Sequence, residues 1–153
     1  MFGWGSDIFG IENLHISWRP DRNWRFILFV DNKPVSHVAV LGHTIRVADH
    51  TFEIGGVGGV VTIPSAQRHG YAKLLHEHVQ QFLRDELFAD FGLLFCRGLL
   101  VENYEQRGWQ LLPNRVVINQ PAGPIDAPLN VMMYSCQGEM FPSSTVFLNS
   151  LPW

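Results

Sequence analysis

"VVTIPSAQRHGYAKLLHEHV" (residues 60–79) passes from one periodicity to another. Val60 to Ile63 close a run of strand formers. From Tyr71 onward, apolar residues recur at helical spacing: Tyr71, Leu74, Leu75, Val79, Phe82 and Leu83. That spacing predicts an amphipathic helix over about 67–87. Gly70 and Ala72 fall in its expected first turn, next to Gln67, Arg68 and His69. The first N–H groups of a helix have no internal partners, and the helix dipole adds roughly half a positive charge there. Small residues let an anion come close, while Arg68 and His69 add donors. No Lys-Ser or Lys-Thr follows as in a nucleotide P-loop, so the expected ligand is a pyrophosphate that needs no magnesium ion.

Upstream, "WRFILFV" (24–30) and "VSHVAVL" (35–41) read as paired strands around the turn "DNKP" (31–34). "TIRV" (44–47) reads as a further strand. "TFEI" (51–54) begins a long strand that runs through "GGVGG" to Ile63. These glycines do not fit a dinucleotide fingerprint, because they lie within a strand pattern and not between a strand and a helix. They predict a bulge, a bend or a close approach.

Downstream, "FGLLFC" (91–96) reads as a buried strand parallel to the one before the helix. "LVENYEQR" (100–107) reads as a second helix capped by Gly108. "WQLL", "RVVI" and "NVMMYSC" are short strands, and the tail "STVFLNSLPW" has room for one more. The order predicts an α/β class with a mixed, mostly antiparallel sheet flanked by helices.

The 153 residues suggest one domain, 1–153, large enough to bury a core without staples. With 11 Lys plus Arg and a net charge of −3, nothing favours a phosphate backbone, so nucleic acid is not an expected partner. No apolar run approaches the roughly 18 residues that span a bilayer, and "MFGWGSDIFG" is not a signal peptide. A cytoplasmic protein with reduced Cys96 and Cys136 is expected; a bridge between them would need an oxidising compartment. The seven histidines form no metal-ligand spacing, so no metal is expected.

The segment 60–72 resembles the acetyl-CoA signature of the GNAT superfamily of N-acetyltransferases. In that signature Gln/Arg-x-x-Gly-x-Gly/Ala follows a strand and a proline; here it is Gln67-x-x-Gly70-x-Ala72 after Pro64. A second match is "YEQRGWQ" (104–110), where Tyr104 precedes the pair Gly108-Trp109 by four residues. Residues 24–118 carry the likeness. Within the superfamily the pattern leans towards aminoglycoside 2′-N-acetyltransferases, through "PVSHVAVL" (34–41), "YEQRGW" (104–109) and a last tryptophan. The N-terminal region is shorter than in those relatives. Gly58 stands where they carry an acidic residue, and the nearest acid on the strand is Glu53.

The resemblance implies direct attack of a primary amine of a small molecule on the acetyl thioester. Val60, Val61 and Thr62 would pair with the pantetheine arm of acetyl-CoA, and Gln67, Arg68, His69, Gly70, Tyr71 and Ala72 would hold its pyrophosphate. Tyr104 would protonate the leaving thiolate, since a phenol of pKa about 10 suits that role. The α-carboxylate of Trp153 would bind the acceptor ammonium. A core role for Tyr104 and for Trp153 stands beside these readings. So do an acyl-CoA-binding module without turnover, an acyltransferase with another donor, and a homodimer. Cys96 reads as a buried inert thiol in preference to a nucleophile, and His37 or His43 as a base only if not a satisfied core or surface histidine.

Overall fold

The computed structural model describes residues 15–153, and nine strands among them join in one sheet. In chain order these are β1 (Trp24–Val30), β2 (Lys33–Val47) and β3 (His50–Thr62). A 3-10 turn (Pro64–Ala66) leads to α1 (Tyr71–Asp85) and β4 (Phe91–Cys96). A second 3-10 turn (Gly98–Leu100) runs into α2 (Val101–Glu105). Then follow β5 (Gln110–Leu111), β6 (Val116–Ile118), β7 (Ile125–Asp126), β8 (Asn130–Ser135) and β9 (Val146–Phe147). The sheet order is β5-β8-β4-β3-β2-β9-β6-β7, with β1 also on β2. Only β3·β4 and β6·β9 are parallel. This is the mixed, mostly antiparallel α/β sheet that the sequence predicts.

The β1–β2 hairpin closes through Asp31 (φ 48°) and Asn32 (φ 61°), two residues that tolerate the left-handed region. Such a turn matches the twist of the strands it joins. The separate strand expected at 44–47 does not exist. β2 runs unbroken through Gly42, because β3 pairs with it along its whole second half. The expected second helix is also shorter. A 3-10 turn replaces its first turn, and the chain leaves α2 towards Gly108, whose φ of +87° ends the helix. β7 lies inside the Pro/Gly-rich stretch "NQPAGPIDAP" (119–128).

The sheet has two apolar faces because side chains alternate along each strand. Val57 and Leu94 point to the face that α1 covers with Leu75, Val79 and Leu83. Ile54 and Leu93 point to the opposite face, which gathers Leu41, Ile45, Leu148 and Trp153. Fully burying each such Leu, Ile or Val contributes about 1.5–3 kcal/mol. The buried stripe of α1 differs from the expected one. Leu74 is 55% exposed, whereas His76 and Gln80 turn inward. Gln80 is satisfied there, donating from Nε2 to the Arg107 carbonyl (2.7 Å), which ties α1 to the end of α2.

The "GGVGG" run is explained by close approach. A Cβ at Gly55 would meet the Leu83 side chain (Cγ at 3.3 Å), and one at Gly56 would stand 2.7 Å from Trp153 Nε1. Residues 15–23 form no helix. Phe2, Trp4 and Phe9, and with them most of the expected short N-terminal region, lie outside the described residues.

Candidate active site

β3 and β4 pair only from Ile54↔Phe91 to Val57↔Leu94. Beyond that point β4 continues along β8 as far as Cys96, while β3 continues along β2 as far as Thr62. The two parallel strands therefore part after Val57. Among the described residues, no strand pairs with residues 58–62 of β3 on that side, an open edge of about 16 Å at a strand rise of 3.3 Å per residue. Unpaired edge groups need partners, and an extended amide-bearing chain supplies them as another strand would.

A bulge drives the parting. Between Ala39↔Gly58 and His37↔Val61, β3 carries one residue more than β2. Gly59 takes φ +57°, which glycine adopts without strain. His37 Nδ1–H donates to the Gly59 carbonyl at 2.7 Å and fixes the bulge from beneath. Burial lowers the His37 pKa, against the opposing effect of that bond. The splay thus starts at Gly58. Thr62 closes the edge: Gln67 Nε2 donates to its carbonyl (3.1 Å), and its hydroxyl bonds Ser36 Oγ (2.9 Å).

The loop from Gln67 to Gly70 is exposed and tightly wound. Arg68 (φ +63°) and Gly70 (φ +79°) both lie in the left-handed region. His69 Nδ1–H donates to the Gln67 carbonyl (2.8 Å), and its ring stacks on Tyr71 at 5.5 Å. The helix begins at Tyr71 and not at Gln67, with Gly70 as its N-cap. No side chain caps it and no acid lies in its first turn, while the first helical bond runs from Leu74 N to Gly70 O. The N–H groups before Leu74 thus have no helical acceptor, and Ala72 keeps the approach clear.

A cavity of about 330 Å³ fills the space between the parted strands. Gly58, Gly59 and Val60 line one side, and Leu94, Phe95 and Cys96 the other. Tyr104 and Trp153 both reach it. Tyr104 is 8% exposed, and burial pushes its phenol up to about 12, so it holds its proton across the physiological range. Arg107 lies over its ring at 5.7 Å.

Trp153 reaches the cavity by a route the sequence did not suggest. The final strand pairs with β2 and β6, not beside α2. From there the tail returns under β3. The Trp153 indole donates to the Leu93 carbonyl (3.3 Å) and packs edge-on against Phe95 and His43. Its main-chain carbonyl carbon lies 3.3 Å from where a Gly58 Cβ would be.

Other candidates are placed elsewhere. His43 is a structural clamp: Nε2–H donates to Leu148 O (2.7 Å), and Nδ1 accepts from Arg19 Nη1 (3.3 Å). Glu53 is exposed and accepts from Thr44 at the other end of β3. Cys96 lines the cavity, but burial raises its thiol to about 11, which leaves it inert as a nucleophile. Both cysteines are free and buried. No group of metal ligands forms among the described residues, and no helix there is long and apolar enough to cross a membrane.

Four residues escaped the sequence reading. Trp18 and Arg22, from the irregular lead into β1, line the cavity, as does Arg97. No motif marks them. The fourth is His76, fully buried between Tyr104 (5.6 Å) and Trp109 (5.3 Å). Among the described residues, neither of its ring nitrogens nor Trp109 Nε1 has a hydrogen-bond partner. Burial drives its pKa down to about 3, so the ring is neutral. Its spacing with Val79 and Leu83 was the available signal.

Known proteins agree with this architecture. No curated protein matches the sequence. Among solved structures, the chain is similar to a GNAT family N-acetyltransferase, YhbS, from Escherichia coli in complex with CoA. The TM-score is 0.59 at 13% identity, over 83% of this chain and 67% of that one. It is also similar to a GNAT family acetyltransferase from Brucella melitensis in complex with acetyl-CoA, with TM-score 0.55 at 16% identity, over 80% and 63%. A third is a GCN5-related N-acetyltransferase from Kribbella flavida, with TM-score 0.52 at 17% identity, over 57% of this chain. The matched part spans only 22% of the Kribbella protein. At such identities the likeness fixes the fold. The family model described as "Acetyltransferase (GNAT) domain" matches residues 12–112, which hold both the parted strands and Tyr104. The chain belongs to the GNAT acetyltransferase family.

Proposed function

We propose that the chain moves an acetyl group from acetyl-CoA to a primary amine of a small molecule, by direct attack of the amine on the thioester carbonyl. One observation carries this reading: β3 leaves β4 after Val57, and the cavity so opened has Tyr104 and Trp153 on its walls. The residues fit the donor. The β3 edge from Gly58, with Val60 and Val61, offers main-chain groups to the pantetheine amides. The uncapped start of α1, with Gln67, Arg68, His69, Gly70, Tyr71 and Ala72, suits a pyrophosphate. Acetyl-CoA, when bound, supplies the activated carbonyl.

Tyr104 is the proton donor in this reading. The amine nitrogen bonds to the carbonyl carbon, the C–S bond breaks, and the phenolic proton passes to the sulfur. Burial keeps the phenol protonated, and the same shift makes it a weaker acid than a free tyrosine, so donation needs the thiolate charge to develop beside it. The amine sheds its own proton to water. In a chain that terminates at Trp153, the group beside Gly58 is a carboxylate, standing where an acidic side chain on β3 would reach. With a reference pKa of about 3.3–3.7 it is a weak base, so it anchors an ammonium better than it removes a proton.

The test is thiol release from acetyl-CoA across a panel of amines that includes aminoglycosides. Turnover with at least one amine is expected, together with saturable acetyl-CoA binding. A folded protein that fails to bind acetyl-CoA would reject the reading; binding without turnover of any amine would leave a binding module.

A further inference from the structure

The walls of the cavity bear on what the acceptor is. Among the described residues that line it, the charged side chains are Arg22 and Arg97; no Asp or Glu joins them. The remaining wall on the acceptor side is aromatic. Trp18 meets Phe95 edge-on at 6.4 Å, and Phe95 meets Trp153 at 5.5 Å. A polycation entering this space would face like charge and find no carboxylate side chain.

Arg22 is held in place but not neutralised. Its Nη1 donates to the carbonyls of Arg19 (2.6 Å) and Asp21 (2.7 Å), which fixes one corner of the guanidinium. Asp21 is engaged elsewhere, since both its oxygens accept from Arg19 (3.0 and 2.5 Å). No carboxylate lies within ion-pair distance of Arg22 among the described residues. The side chain is half-buried, and burial lowers its pKa more than nearby Asp21 raises it. A partly desolvated guanidinium with unused N–H donors, facing an aromatic cavity, suits a planar carboxylate.

Resting on the acetyl-transfer reading, we propose that the acceptor is an amine carrying a carboxylate on an apolar or aromatic body, and that Arg22 binds that carboxylate. Amino acids with such side chains are the simplest members of the class. The fork of Arg22 takes the carboxylate, Trp18 and Phe95 take the body, and the amine is left to face the splay at Gly58. A cavity of about 330 Å³ is of the size that takes one small molecule.

Amino acids with apolar and aromatic side chains, their carboxamides and kanamycin are compared as acceptors in wild type, Arg22→Met and Arg22→Lys. The free protein is titrated in parallel with N-acetyl-phenylalanine and its amide, following tryptophan fluorescence. We expect kcat/KM for the best carboxylate to exceed that of its amide by at least tenfold. In Arg22→Met this preference disappears through KM, while acetyl-CoA affinity holds, and Arg22→Lys restores it in part. A role confined to holding the loop would lower carboxylate and amide alike. Equal use of acid and amide, preference for kanamycin, or discrimination that survives Arg22→Met overturns the proposal. The fluorescence titration judges the arginine without acetyl-CoA. Failure to bind acetyl-CoA rejects the acetyl-transfer reading, whereas failure of the free protein to prefer the anion over its amide rejects this one.

Discussion

The indole of Trp153 fills the space that a side chain at Gly56 would need. A Cβ there would stand 2.7 Å from its Nε1 and 2.8 Å from its Cδ2, closer than side chains pack. The last residue of the sequence is thereby locked onto the central strand, with its carbonyl group beside Gly58. Gly56→Ala must push the indole out of the core. We expect a loss of about 1–3 kcal/mol, typical of overpacking, and a red shift in tryptophan emission. Urea unfolding with an unchanged midpoint would show that the indole is not held there.

Extending the chain by Gly-Ser after Trp153 moves any terminal charge away from Gly58 and keeps the indole. If that charge anchors the acceptor, kcat/KM for the amine falls at least tenfold while acetyl-CoA affinity is retained. Full activity in the extended protein assigns Trp153 to packing alone.

At the mouth of α1, Gly70 takes φ +79°, and a Cβ there meets nothing within 4 Å. Gly70→Ala adds only backbone strain, about 1 kcal/mol. Gly70→Glu adds the same strain and a carboxylate where a pyrophosphate is expected. By calorimetry, acetyl-CoA affinity should fall at least tenfold further in Gly70→Glu than in Gly70→Ala, about 1.4 kcal/mol. Equal affinities would place the pyrophosphate elsewhere.

Tyr104→Phe keeps the ring against His76 and Trp109 and removes the proton. We expect kcat to drop by roughly 10²-fold with acetyl-CoA binding unchanged. Wild-type turnover with a confirmed amine would reduce Tyr104 to a packing residue.

His76 links the core to pH. Its pKa is about 3 in the fold, against 6.5 as a free group. Below 6.5 the unfolded chain therefore takes up a proton that the native chain refuses. Stability from this site is complete above pH 6.5 and is lost as pH falls towards 3, at about 1.4 kcal/mol per pH unit. His76→Leu removes both unpartnered nitrogens. It should flatten the acid side of the stability profile and leave stability at pH 7 equal or higher by about 1–3 kcal/mol. An unaltered acid slope in chemical denaturation would mean that the ring is not buried neutral.

The change of period at Ile63–Tyr71 and the strand formers of β1 to β4 were legible in the sequence. Each is decided by local sterics and by which face of one element is apolar. Their order also implied the parallel partner β4 and the helix that joins it to β3. Tyr104 could be named because "YEQRGWQ" (104–110) resembles a family motif that lies within one short stretch.

Only the tertiary structure decided where β3 leaves β4, because that depends on a bulge whose partner strand and supporting His37 come from β2. It alone placed Trp153, whose indole bonds a carbonyl 60 residues away. It alone put Arg22 in the cavity, and His76 between Tyr104 and Trp109. Such contacts follow from how whole elements pack once loops have closed, and no periodicity along one element encodes them. The sequence by itself therefore determined the scaffold and the loop at the mouth of α1. The walls of the cavity are assembled from segments far apart in the chain, and packing decided them.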